Sequence, residues 1–332
     1  MGRSKISYSR RAIAVCFASA YSSALNTSKK GGATLRKKRL TDTAYSWLFL
    51  TPTFVVLIIA AFIPLLYSLW LSLHNLRLNM PNAQPLFVGL ENYFYMLSDT
   101  LLKRSTLNTV IFVVCTVSLQ LLFGLVLAML VSGDDRLSRL LRTIFLIPMI
   151  MAPVVSGTLW RMMLDRTTGI VNYLLSFTGV TAIPWLGQPL TAMIAVIFVD
   201  IWRLTPWVVI ILVSAIKAVS MTLLESALVD GATPWQIFKS IMLPLLKPVI
   251  LIVAMIRVID GFKVFDTIYV MTGGGPGMAT EMLPNYIYNQ GLRYFNAGYS
   301  ASLAWVFIIC MSILSLVFVR LMVKPRKPEG GR

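Results

Sequence analysis

Long apolar runs separated by short polar connections set the pattern of this chain. Six runs, near residues 47–73, 107–131, 143–163, 190–215, 249–271 and 300–323, reach the roughly 20 residues needed to cross about 30 Å of hydrocarbon. They lack the alternating polarity of barrel strands, and backbone in lipid must bond within its own segment, so each run predicts a helix. Pro52, Pro64, Pro148, Pro153 and Pro206 fall inside the runs and predict bends. The expected fold class is an all-α membrane protein with six transmembrane helices in a domain over 47–323.

Composition agrees with the pattern. At 57% hydrophobic and 13% charged residues, with mean hydropathy +0.76, the chain is too apolar for an ordinary soluble domain. The net charge of +17 does not indicate nucleic acid, because Lys and Arg cluster between the apolar runs. Twenty-one of the 30 basic residues collect on one side of the six spans and six on the other. Positive connections stay in the cytoplasm. Both termini and the connections near 132–142 and 216–248 are therefore expected there, in a multi-pass membrane protein. Residues 1–46 are expected to form a disordered basic cytoplasmic arm, since the stretch Ala12 to Ala20 is too short to span, and residues 324–332 a cytoplasmic tail. Cys16, Cys115 and Cys310 have no metal-ligand spacing, and the lone His74, directly after an apolar run, reads as an interfacial residue.

The connection at 216–248 carries more information than the others. Thr222 with Glu225 makes a capping-box pattern, and Gly231 after Asp230 can take the left-handed conformation of a helix end. Thr233, Pro234 and Gln236 repeat the start signal, and Pro244 with Pro248 is expected to end a second short helix and open the next span. On physics alone this is either an amphipathic loop on the membrane surface or a docking site.

The run Glu225-Ser226-Ala227-Leu228-Val229-Asp230-Gly231-Ala232, followed by Phe238, Ile241, Leu243-Pro244 and Pro248, resembles the EAA loop of ATP-binding-cassette importer permeases. Ser226 departs from the pattern, standing where the family has a second Ala. Scattered motifs extend the resemblance over about residues 45–323 to the larger-subunit carbohydrate permeases of maltose, glycerol-phosphate and trehalose importers. They include Phe87-Val88-Gly89-Leu90-Glu91-Asn92-Tyr93, Asn108-Thr109, Trp185-Leu186, Thr205-Pro206 and Thr272-Gly273-Gly274-Gly275-Pro276. The maltose version's large periplasmic insertion is absent. The resemblance implies the type I importer permease fold, a second homologous permease subunit, two ATP-binding-cassette ATPase subunits and an extracytoplasmic solute-binding protein. It also implies that this chain is not an enzyme and has no cofactor, ATP being bound by the partner ATPases. Glu225, Ser226, Ala227, Asp230, Gly231, Ala232, Phe238 and Pro244 are the coupling residues it implies.

Charges inside spans are functional suspects because they are costly there. Asp200 and Arg203 are three apart in the fourth run, and Arg257, Asp260, Lys263 and Asp266 repeat every three residues along the fifth. They are either ion pairs that fix helix packing or, with Trp202, the wall of a hydrated sugar path. Trp207 and Tyr286 offer further flat faces. The same carboxylates would suit an ion-coupled secondary transporter, but no internal repeat is visible. A membrane-embedded enzyme would need a nucleophile or metal constellation that the sequence does not display. The glycines at 273–275 lack the Lys-Ser or Lys-Thr of a phosphate loop and read as an outer turn.

Overall fold

The computed structural model describes residues 47, 49–80 and 84–322, the last two by backbone alone. The expected basic arm and the tail lie outside the described residues. Contacts divide the chain into Met1–Ser68 and Leu69–Arg332. In the first unit the apolar helix has a π turn at Ile58–Phe62, just ahead of Pro64, whose missing N–H frees the carbonyl of Ala60.

Among the described residues, five helices are long and apolar enough to cross a membrane: Phe49–Ser72, Thr100–Leu130, Pro189–Lys217, Pro234–Phe262 and Ala297–Arg320. Arg136–Ile150 and Pro153–Met163 make a sixth span if counted together, bent by 94°. The expectation of one helix over 143–163 therefore fails at Met151–Ala152. Proline disfavours the helical region for the residue before it, and Ala152 is extended at ψ 142°. Pro148 and Pro206 stay inside their helices.

The fifth span is displaced in the opposite sense. Pro244 and Pro248 do not end a loop helix; one helix runs through both from Pro234 to Phe262, with a π turn at Phe238–Met242. That wider turn precedes Pro244 and absorbs its missing hydrogen bond. The chain breaks instead at Lys263–Phe265, and Asp266–Met271 forms a separate short helix.

Within Leu69–Arg332 the bundle is built on Thr100–Leu130 packed along Pro189–Lys217. Gly124 permits their approach: a Cβ there would lie 2.5 Å from Val208 Cγ1. Two apolar cores result. One gathers Phe112, Val113, Val117, Val196, Val199, Ile268 and Met271; the other gathers Ala128, Val208, Val209, Leu212, Val213 and Val253. On all three of the spans Thr100–Leu130, Pro189–Lys217 and Pro234–Phe262, the residues between these cores include polar ones.

Candidate functional site

Gln120, Asp200 and Arg257 occupy the gap between the two cores, one from each of the three spans, and all are buried. Charge at such a position is tolerable only when paired and hydrogen-bonded. Arg257 Nη2 lies 3.4 Å from Asp200 Oδ2, and Nη1 lies 3.4 Å from Asp260 Oδ2. Arg203, one helical turn from Asp200, reaches its Oδ1 at 3.6 Å. Gln120 donates from Nε2 to Asp200 Oδ2 at 2.9 Å and accepts from Arg257 Nε at 2.9 Å.

These charges form one wall of a cavity of about 260 Å³, with Lys263, Phe265, Asp266, Thr267 and Pro153. Both helix breaks, at Ala152 and at Lys263–Phe265, thus fall at this cavity. Discontinuous helices are tolerated at membrane depth where the freed backbone lines a cavity. The lining is incompletely paired. Arg203 Nε and the Thr267 hydroxyl are buried with no hydrogen-bond partner among the described residues, and Lys263 and Asp266 enter no ion pair there.

Of the charges singled out from sequence, the structure brings together Asp200, Arg203, Arg257, Asp260, Lys263 and Asp266. Lys263 and Asp266 do not continue the helical row of the fifth span, because the helix stops at Phe262. Trp202 is on another cavity, a larger apolar one of about 700 Å³ with Phe123, Phe145 and Phe198, and its ring meets that of Trp160 at 5.4 Å. Trp207 packs against the core around Leu212, and Tyr286 is buried. Gln120 carries no charge and does not stand out in the sequence as the charged residues do. Its only signal in the sequence is that it is an amide within an otherwise apolar stretch.

A second buried polar cluster lies at the start of Thr100–Leu130. Asp99 caps that helix by accepting from the N–H of Leu101 and Leu102, and it also accepts from the hydroxyls of Tyr286 and Tyr299, each at 2.5 Å. Burial alone would raise the Asp99 carboxyl, but these donors outweigh it and hold it below the usual carboxylate range. Tyr286 is pushed above the ordinary tyrosine range by burial and by its donation to Asp99. Glu281, bonded by Asn289 Nδ2 at 2.8 Å, is raised by burial. It lies against Gly274, whose φ of +92° belongs to the outer glycine turn.

The loop at 216–248 is two helices around a turn. Met221–Val229 starts two residues earlier than the sequence pattern implies, with Ser220 at the cap position, which places Thr222 inside the helix; the expected Thr222–Glu225 capping box does not form. At the other end Gly231 adopts φ +79°, Ala232 N–H bonds the Ala227 carbonyl and Gly231 N–H bonds that of Leu228, a Schellman closure. Thr233 and Gln236 do form their capping box. Glu225, Ser226, Asp230, Gly231 and Pro244 are exposed, while Ala227, Ala232 and Phe238 are half-buried. The Ser226 hydroxyl is turned onto the Thr222 carbonyl of its own helix at 2.9 Å, so the departure from Ala adds no unpaired group. The pair also exposes Met221, Leu228, Val229 and Trp235, Val229 at 88%.

A helix pair of this form, between two spans of a bundle with broken third and fifth spans, has a match among known proteins. The family described as the inner membrane component of binding-protein-dependent transport systems matches residues 120–324, and the chain belongs to it. It is therefore a multi-pass inner-membrane permease subunit of a binding-protein-dependent ABC importer, and not an ATPase. The trehalose/maltose transport system permease protein MalF of Thermococcus litoralis is 35% identical over 288 residues, 86% of this chain and 96% of that one. The lactose transport system permease protein LacF of Rhizobium radiobacter is 31% identical over 277 residues, 82% and 91% of the two chains. The fold is also that of a chain in the crystal structure of a bacterial ABC transporter involved in the import of the acidic polysaccharide alginate. That match has TM-score 0.77 at 22% identity and covers 87% of this chain and 99% of the other.

Proposed function

We propose that this permease carries a neutral sugar, and that it does so with a second homologous permease and two ATPase subunits. The loop at 216–248 would be the ATPase contact, with Glu225, Ser226, Ala227, Asp230, Gly231, Ala232, Phe238 and Pro244 as its coupling residues. Small residues at 227, 231 and 232 leave room for the helix pair to seat in a groove, and the exposed Leu228, Val229 and Trp235 supply apolar contact. The cytoplasmic placement of the loop and of both termini follows from the distribution of Lys and Arg.

The observation that carries the reading is the continuity of Pro234–Phe262, which begins in the loop and ends at the charged cavity. A displacement at the ATPase would reach Arg257 and Asp260 along one helix, shifting the population between inward-open and outward-open states. Asp200, Arg203, Arg257, Asp260, Lys263 and Asp266 then line the path. Three acids against three bases leave this lining without net charge, which suits hydroxyl groups better than an anion. The names of relatives such as the trehalose/maltose and lactose permeases point the same way.

Gly231→Leu tests the coupling role. A Cβ at 231 would meet nothing within 4 Å, so the side chain has room while the turn is strained by about 1–2 kcal/mol. The expected result is normal abundance in the membrane with loss of uptake of radiolabelled trehalose, maltose and lactose. Unchanged uptake would refute it.

A further inference from the structure

Gln120 stands behind the cavity wall, fully buried, where three spans meet. A buried primary amide is costly unless its oxygen and N–H groups are used. Its oxygen takes the Arg257 Nε–H at 2.9 Å, and its nitrogen donates to Asp200 Oδ2 at 2.9 Å and to the Asp200 main-chain oxygen at 3.1 Å. The opposite orientation would set N–H against guanidinium and oxygen against carboxylate, so the amide has one way round. With Nε of Arg257 taken, the terminal nitrogens point to Asp200 and to the cavity residue Asp260, and Asp200 Oδ1 is left for Arg203.

We infer that Gln120 is a positioning residue of the translocation path, holding the Asp200 carboxylate and the Arg257 guanidinium so that the wall keeps its hydrogen-bonding atoms toward the cavity. This rests on reading the charged cavity as the path. Without the amide, the acid and the base at 3.4 Å close on each other and the wall loses atoms that can bond a solute hydroxyl. The consequence falls on solute recognition, because the side-chain bonds of Gln120 all go to Asp200 and Arg257 and none to the loop at 216–248.

The test uses the complete importer, with its ATPases and binding protein, in proteoliposomes. Uptake of radiolabelled trehalose, maltose and lactose is measured against concentration, and ATP hydrolysis is measured in the same vesicles. Gln120→Met keeps the side-chain length and removes all three bonds. It is expected to raise the KM for uptake about tenfold, the effect of one lost hydrogen bond to a charged group, with hydrolysis unchanged. The double variant Gln120→Glu/Asp200→Asn exchanges acid and amide. The carboxylate introduced at position 120 then accepts from Arg257 and from the amide introduced at position 200 but cannot donate to the main-chain oxygen of residue 200, so only part of the uptake should return. A normal KM in Gln120→Met overturns the inference. So does a parallel loss of uptake and hydrolysis in both variants, which would make Gln120 a brace for the bundle. Lys263→Met and Asp266→Asn separate the two levels of the argument. If they leave uptake untouched, the cavity is not the path; if they impair it while Gln120→Met is normal, only the role of Gln120 fails.

Discussion

The cluster at Asp99 and the cluster at Asp200 both bury a carboxylate, and they are finished in opposite ways. Asp99 uses one oxygen for two backbone N–H groups and the other for two tyrosine hydroxyls, leaving no acceptor free. Around Asp200 the ion pairs stand at 3.4–3.6 Å, Arg203 Nε is without a partner among the described residues, and the group opens on a cavity. Burial alone therefore does not set the two carboxylates apart. What distinguishes the second cluster is surplus: more polar atoms than it can satisfy from within.

The contrast can be broken first at its most costly point. Arg257→Leu strips the buried Asp200 of its main counter-charge, and about 3–5 kcal/mol of stability should go with it. Thermal unfolding of the detergent-solubilised complex would show this, and adding Asp200→Leu should restore much of the loss. A smaller effect belongs to Asp99→Asn, which keeps the size and forfeits charge-assisted bonds from both tyrosines at about 1.5–3 kcal/mol. Its pH signature sharpens the difference. Because the Asp99 carboxyl is held below its usual 3.8, the stability it adds is complete above that value and is lost as pH falls through the lower, folded value. The gap in unfolding temperature between wild type and Asp99→Asn should thus narrow only below about pH 4. Uptake per folded complex should stay normal in this variant. Least disruptive to the fold is Lys263→Met, exposed at the cavity, for which unfolding should change by no more than about 0.5 kcal/mol while uptake falls. A destabilised Lys263→Met, or a transport-dead but stable Asp99→Asn, would erase the distinction.

The apolar runs made the first, fourth and sixth spans legible within a few residues, whereas the second begins at Thr100, well before the expected 107, because Lys103 and Arg104 break the apolar pattern without breaking the helix. The prolines were legible as residues but not as events. Pro148, Pro153, Pro244 and Pro248 all interrupt apolar sequence, yet only at Pro153 does the chain turn, after an extended Ala152, while a π turn carries the helix through to Pro244. That choice depends on what packs against each segment. The central turn of the loop at 216–248 was read correctly, since Gly231 and the Thr233–Gln236 box act over a few residues, but the end of its second helix at Pro244 and Pro248 was not. Its first cap was misplaced by the short reach of the same signals. The six cavity charges could be picked out by their cost in a span, whereas Gln120 carries no charge and acquires its meaning only when residues 120, 200 and 257 meet.

The two apolar cores lie at two levels, one built around Val196 and Val199 and the other around Val208 and Leu212, with Leu121 packed against both. Apart from Leu121, the storey between them is joined by hydrogen bonds and ion pairs, so its polar residues can be exchanged as a set with less repacking than residues of either core require. A lineage could then change what passes through such a permease by rewriting a few positions at one level, while the rest of the bundle and its helical links remain as they are.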